Sequence, residues 1–271
     1  MVMKKKKIII LLAAVFILIL CLITWIPVTE RIDIDAGAGE GIRIALVTDL
    51  HSCYYGPGGK WLTERIDKEE PDVVMLGGDI FDDRLKDGNA KAVIEELVKK
   101  YPCYYVSGNH EYWSGRVDEM KEWLSAAGVQ VLEGSCDTLT VKGTPIDICG
   151  VDDPTQLLRT TWEKQLDSAY AETGKGQIKI LLSHRPEEVS AYERYDYDLI
   201  LAGHAHAGQF RIPFINRGLY APDQGFMAEY VSGAYRLNNG STMVVSRGLA
   251  RESMPLPRFF NHPELVLIEL N

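Results

Sequence analysis

Residues 42–51 read IRIALVTDLH: a short apolar run that stops in a polar turn, with Asp49 and His51 two positions apart. Six or seven apolar-rich residues are too few for a buried helix and suit a strand covered on both faces. Alternate residues of an extended segment project to one side, so Asp49 and His51 can reach one ligand. The same grammar recurs downstream. Residues 73–76 (VVML) lead into Gly77-Gly78-Asp79, and 103–106 (CYYV) into Ser107-Gly108-Asn109-His110-Glu111. Residues 178–182 (IKILL) lead into Ser183-His184, and 198–202 (DLILA) into Gly203-His204-Ala205-His206.

Between these strands the spacing turns helical. Residues 61–70, 90–100, 116–127 and 161–172 carry apolar positions at helical intervals, and Gly128 suits a helix C-terminus. Short β segments are expected at 129–132, 137–142 and 146–150, with two late runs at 242–246 and 265–270. Alternation of strand and helix predicts an α/β body. Ligands of such sheets bind at the carboxyl ends of the strands, where the polar clusters fall. Of six histidines, five lie in these clusters and only His262 lies elsewhere. Scattered core or surface histidines would not collect there.

The first residues are a different material. Lys4 to Lys7 precede Ile8–Ile26, 19 uncharged residues whose single polar member is Thr24. At 1.5 Å per residue the run spans roughly 28 Å, about one hydrocarbon core. Pro27 ends it, and Trp25 sits where an interfacial aromatic belongs. The run exceeds a signal-peptide core and no A-x-A site follows, so an uncleaved anchor is expected, lysines in the cytoplasm and body outside. The expected organisation is a lysine cluster and transmembrane anchor at 1–27, a linker at 28–41 and a folded body at 42–271.

The 271 residues carry a net charge of −9, and with the four anchor lysines set aside the remainder carries −13. An acidic body without a basic patch argues against nucleic acid as partner. No CxxC pair exists among the five cysteines, which excludes a zinc ribbon or thioredoxin motif. Outside the membrane Cys53, Cys103, Cys136 and Cys149 allow three pairings, Cys136 with Cys149 being the local one.

Imidazole, carboxylate and amide oxygens together suit borderline divalent ions. The ordered set D-x-H at 49–51, G-D-x-x-D at 78–82, G-N-H-E at 108–111, His184 and G-H-x-H at 203–206 resembles the calcineurin-like metallophosphoesterase superfamily. Gly203–Gln209 with Arg211 and Pro213, then Ser246-Arg247-Gly248-Leu249 and Pro263-Glu264-Leu265, are similar to its bacterial membrane-associated phosphodiesterase branch. The resemblance implies a four-layer α/β/β/α sandwich with mixed sheets. It also implies two divalent metal ions among Mn, Fe, Zn, Co and Ni, with Mn favoured. Asp49, His51, Asp79 and His206 would hold one, and Asp79, Asn109, His184 and His204 the other, Asp79 bridging. A metal-bridging hydroxide would attack phosphorus while His110 protonates the leaving oxygen. Glu111 would orient His110 or support the ligands from behind, and Asp82 would order a loop.

Protein phosphatases of the superfamily carry an arginine that grips the terminal phosphate, where Asp83 stands here. An acid there disfavours a dianionic monoester, so the expected substrate is a phosphodiester or pyrophosphate, lipid- or nucleotide-linked. The competing readings are a non-catalytic metal- or protein-binding module on the same fold, and a metal-dependent nuclease. Tyr54, Tyr55, Trp61, Tyr112 and Trp113 flank the ligand blocks and either pack or contact substrate or lipid.

Overall fold

The computed structural model describes residues 6–7, 11, 24–39, 41–211, 217–253 and 258–271. The apolar runs become strands with two different faces. Strands β2 (Ile42–Val47), β3 (Val73–Gly77) and β4 (Cys103–Val106) lie parallel, Ile44 beside Val73 and Val74 beside Cys103. Ile44, Leu46, Val73 and Met75 point to one core, and Ala45, Val47, Val74 and Leu76 to another. Burial on both faces is why these segments read as continuous apolar runs rather than alternating ones.

Strands β7 (Thr144–Gly150), β8 (Ile178–Leu182), β9 (Leu199–Ala202) and β13 (Thr242–Val245) form a second parallel set. Antiparallel β6 (Ser135–Val141) and β12 (Gly233–Arg236) edge it. The first sheet is completed by β14 (Glu264–Leu270) antiparallel to β2, by β1 (Val28–Ile34) parallel to β14, and by β5 (Gln130–Val131) on β4. Two six-stranded mixed sheets result. They pack face to face through Ile44, Met75, Ile148, Ile180 and Leu201.

Helices cover the outer faces. Helices α1 (Lys60–Asp67), α2 (Gly88–Leu97) and α4 (Val117–Ala127) lay Leu62, Ile66, Ile94 and Leu124 on the first sheet. Helix α5 (Arg159–Ala171) seats Trp162, Leu166 and Ala169 on the second, beside α6 (Val189–Tyr192). The layering is α/β/β/α.

One expectation changes, and another lies mostly beyond what the structure describes. Residues 28–41 are not simply a linker: Val28–Ile34 is a strand along all of β14. Its sequence, VTERIDI, is half-polar because β1 is an edge strand with one exposed flank. The expected anchor lies mostly outside the described residues, and among those described no helix is long and apolar enough to cross a membrane. At the end of the apolar run, residues 24–26 are a turn held on the body, with the Thr24 hydroxyl donating to the Arg258 carbonyl at 2.8 Å.

Cys136 and Cys149 face each other across β6 and β7 and form a disulfide. Cys53 and Cys103 are buried thiols.

Candidate metal centre

Each strand-end cluster turns inward at the seam between the two sheets. The loop after β2 brings Asp49 and His51, and the loop after β3 brings Asp79. Asn109 opens α3 (Asn109–Trp113) after β4, His184 follows β8, and His204 and His206 follow β9. All seven side chains are buried. Asp49, His51 and His206 present ligand atoms to one point, and Asp79, His184 and His204 to a second. Asp79 Oδ2 lies 3.6 Å from His51 Nε2 and 3.3 Å from His184 Nε2, between the two groups. His206 Nε2 lies 3.6 Å from Asp49 Oδ1.

These separations are too long for hydrogen bonds and suit atoms about 2 Å from a common ion. Four of the atoms, His51 Nε2, Asp79 Oδ2, Asn109 Oδ1 and His184 Nε2, are buried without a hydrogen-bond partner among the described residues. Leaving that many polar atoms unpaired costs about 1–3 kcal/mol each. Divalent metal would give such atoms partners, so the donor set fits the divalent metals that the sequence implies.

The backbone is bent to serve the site. Asp49, His51, Asp79, His204 and His206 all have φ between 45° and 63°, a left-handed region that side chains with a Cβ seldom enter. Such conformations persist where surrounding structure over-determines them. Glu111, buried, accepts the amides of Asp79 (3.0 Å), Ile80 (2.8 Å), Phe81 (3.0 Å) and Gly108 (2.9 Å). It clamps the Asp79 loop and does not touch the His110 ring. At Gly108 a Cβ would sit 2.2 Å from Asp79 Oδ1, so only glycine lets α3 approach.

Hydrogen bonds fix the imidazoles. His184 Nδ1 lies 2.8 Å from the Gly77 carbonyl, and His51 Nδ1 lies 3.1 Å from Asp82 Oδ2. Each contact places the ring proton on Nδ1 and leaves the Nε2 lone pair facing the site. Asp82 is held in turn by the amides of Arg84 and Leu85. Burial opposes charge on Asp79, yet the imidazoles around it, His184 first and then His51 and His110, hold its carboxyl well below the usual range whenever they are protonated.

His110 stands at the rim. Its Nδ1 is 2.6 Å from Asp83 Oδ1 and 3.6 Å from Asp82. Its ring meets His51 edge-on with centroids 4.3 Å apart. Burial lowers its pKa against the opposing pull of Asp79 and Asp83.

A family model described as calcineurin-like phosphoesterase matches residues 42–208, which include all seven of these side chains and His110. The chain belongs to the calcineurin-like phosphoesterases. Relatives run across kingdoms. A Helicobacter pylori "uncharacterized metallophosphoesterase" is 28% identical over 233 residues, covering 84% of this chain and 60% of its own. A zebrafish "transmembrane protein with metallophosphoesterase domain" is 29% identical over 250 residues, covering 85% and 53%. The chain thus spans less than two thirds of either relative's length. Among solved structures, a Staphylococcus aureus protein in complex with alpha-ketoglutarate shares the fold. Its TM-score is 0.52 at 12% identity, covering 85% of this chain and 54% of that one.

Residues that the ligand pattern did not single out also contact these side chains. Buried Arg185, next to His184, is gripped by Asp153 (Nε to Oδ2 2.5 Å) and Thr155, and its Nη1 lies 2.9 Å from His204 Nε2. Asp152 and Asp153 end β7 as Asp79 ends β3, so the strand-end rule could have flagged them. Asp223 reaches His204 Nε2 at 3.1 Å from the turn between β10 (Tyr220–Ala221) and β11 (Gly225–Phe226). Asn261 donates to the His206 carbonyl at 2.7 Å. No local spacing marks these two, because they arrive from remote loops.

Proposed function

We propose that the chain is a membrane-anchored, dinuclear metal-dependent phosphoester hydrolase that favours phosphodiesters or pyrophosphates, with its body outside the cytoplasm. The convergence of three unpaired, buried ligand atoms, His51 Nε2, Asp79 Oδ2 and His184 Nε2, on two adjoining points supports this reading most strongly. Asp49, His51, Asp79 and His206 would hold one ion, and Asp79, Asn109, His184 and His204 the other. When bound, such a pair supplies Lewis acidity toward phosphoryl oxygens and makes water acidic enough to ionise near neutral pH.

The protein's own groups do the rest. His110 presents Nε2 to the phosphate while Asp83 keeps its proton on Nδ1 and steadies the imidazolium. His110 then donates a proton from Nε2 to the departing oxygen. The Asp83 carboxylate beside this position repels a second phosphoryl charge, which favours a diester monoanion over a monoester dianion. A water-derived nucleophile needs no serine or cysteine; Ser183, beside His184, bonds the Tyr192 hydroxyl, and burial raises the Cys53 thiol pKa.

The anchor reading rests on the apolar run 8–26. The Cys136–Cys149 disulfide suits an oxidising compartment, consistent with an exported body. The test is turnover of bis-nitrophenyl and mono-nitrophenyl phosphate by the full chain in detergent, loaded with Mn. Faster diester hydrolysis is expected, and turnover of an alkyl diester, whose leaving oxygen needs the proton, is expected to be lost in His110→Asn without loss of metal. Metal-loaded protein inactive on both esters would mark a binding module, and faster monoester turnover would overturn the substrate preference.

A further inference from the structure

The exposed apolar side chains are unevenly placed. Among the described residues from 24 onward, most of the large and strongly exposed ones lie on segments that contact residues of the metal centre, and Trp61 lies on one joined to the end of the apolar run through Tyr54 and the Arg251–Glu252 pair. Trp113, 56% exposed, has its ring 4.7 Å from that of His110. Phe260 precedes Asn261, which holds the His206 carbonyl. Phe226 lies on the hairpin whose Asp223 meets His204. Leu158 follows the Thr155 turn that holds Arg185. Trp61, 55% exposed, packs on Tyr54, whose amide is held by Glu252. The next residue back, Arg251, lies 5.1 Å from the ring of Trp25. At the opposite end of the second sheet the surface cleft is instead lined by Asp196, Asp198, Arg236 and Asn239.

An apolar, aromatic rim around a polar mouth marks an interaction surface, and tryptophan and phenylalanine at such a rim suit a membrane interface. The sequence says which surface lies within reach. The apolar run ends at Ile26 and β1 starts at Val28, leaving Pro27 alone between them. Residues 24–26 already lie on the body, for His262 Nδ1 contacts the Ile26 carbonyl at 3.0 Å. No spacer exists to lift the body away from the bilayer that would hold the rest of the apolar run.

We propose that the rim carrying Trp25, Trp61 and Trp113 rests in the interface of the anchor's own bilayer, so that the metal centre opens onto lipid headgroups and takes phosphoesters of membrane-embedded amphiphiles. This rests on the anchor reading above. The five tryptophans separate the two. Trp25 ends the anchor, Trp61 and Trp113 lie on the rim, Trp162 is fully buried and Trp123 packs between helices.

The test is quenching of tryptophan emission by shallowly brominated phosphatidylcholine, with the full chain reconstituted in phosphatidylcholine vesicles. The wild type is compared with W61F/W113F and with W25F. The quenched emission is expected to fall to about one-third in W61F/W113F, if the three interfacial tryptophans emit equally. Quenching lost in W25F and unchanged in W61F/W113F would keep the anchor and overturn the docked rim. A chain that does not float with the vesicles would overturn both. Neither readout depends on turnover, so failure of the catalytic reading would leave this result standing.

Discussion

Replacing Asp83 by asparagine removes the carboxylate 2.6 Å from His110 Nδ1 while keeping the side chain's size. A hydrogen bond between a carboxylate and an imidazolium contributes about 1.5–3 kcal/mol, roughly 10- to 150-fold in rate if realised only as the leaving oxygen is protonated. Asp82 cannot take over fully, since it is 3.6 Å away and already bonded to His51 and two amides. The expected loss is therefore about 10- to 100-fold in kcat for a diester with a poor, alkoxide-like leaving group. A nitrophenolate leaves without help, so bis-nitrophenyl phosphate should lose far less. The variant also removes the rim charge, so the ratio of monoester to diester turnover should rise. Steady-state assays on an alkyl and a nitrophenyl diester, with metal content measured in parallel, test each part. An equal loss on both leaving groups, or a loss that follows metal content, would refute the role given to Asp83.

Gly108→Ala should abolish turnover and lower bound metal, because the new Cβ would lie 2.2 Å from Asp79 Oδ1 and 2.5 Å from the Asp79 amide; full metal content by elemental analysis would contradict this. Glu111→Ala should cost about 3 kcal/mol or more, since it strips the acceptor from the amides of Asp79, Ile80, Phe81 and Gly108; unchanged denaturant unfolding of the detergent-solubilised chain would argue against the clamp. Cys136→Ser/Cys149→Ser opens a loop closed over a separation of 13 residues and should lower stability by about 3 kcal/mol, read as a Tm lower by several degrees, with turnover retained because neither sulfur belongs to the ligand set. Chelation should lower Tm and re-addition of Mn should restore it, since the four unpaired atoms regain partners only with metal.

What could be read in advance followed from burial. Strands β2, β3, β4, β8 and β9 are covered on both faces, so their runs stand out, and each ends in the residue that the site needs. The pairing of Asp49 with His206 and of Asp79 with His184 joins loops from different sheets, and only the resemblance supplied it before the fold was seen. Strand β1 was hidden because an edge strand with polar outward positions resembles a linker. The directions of Glu111 and Asp83 were hidden for another reason. Neighbouring acids in a turn differ only in where the backbone aims them, and here Asp82 turns to His51 while Asp83 turns to His110. Arg185, Asp223 and Asn261 gain their places from tertiary packing alone.

Electron paramagnetic resonance of the Mn-loaded full chain, with metal stoichiometry on the same sample, tests the paired-metal centre most directly. Two ions per chain with the spectrum of a spin-coupled pair are expected, reduced to at most one uncoupled ion in Asp79→Asn. One ion per chain, or two uncoupled ions indifferent to Asp79, would contradict it.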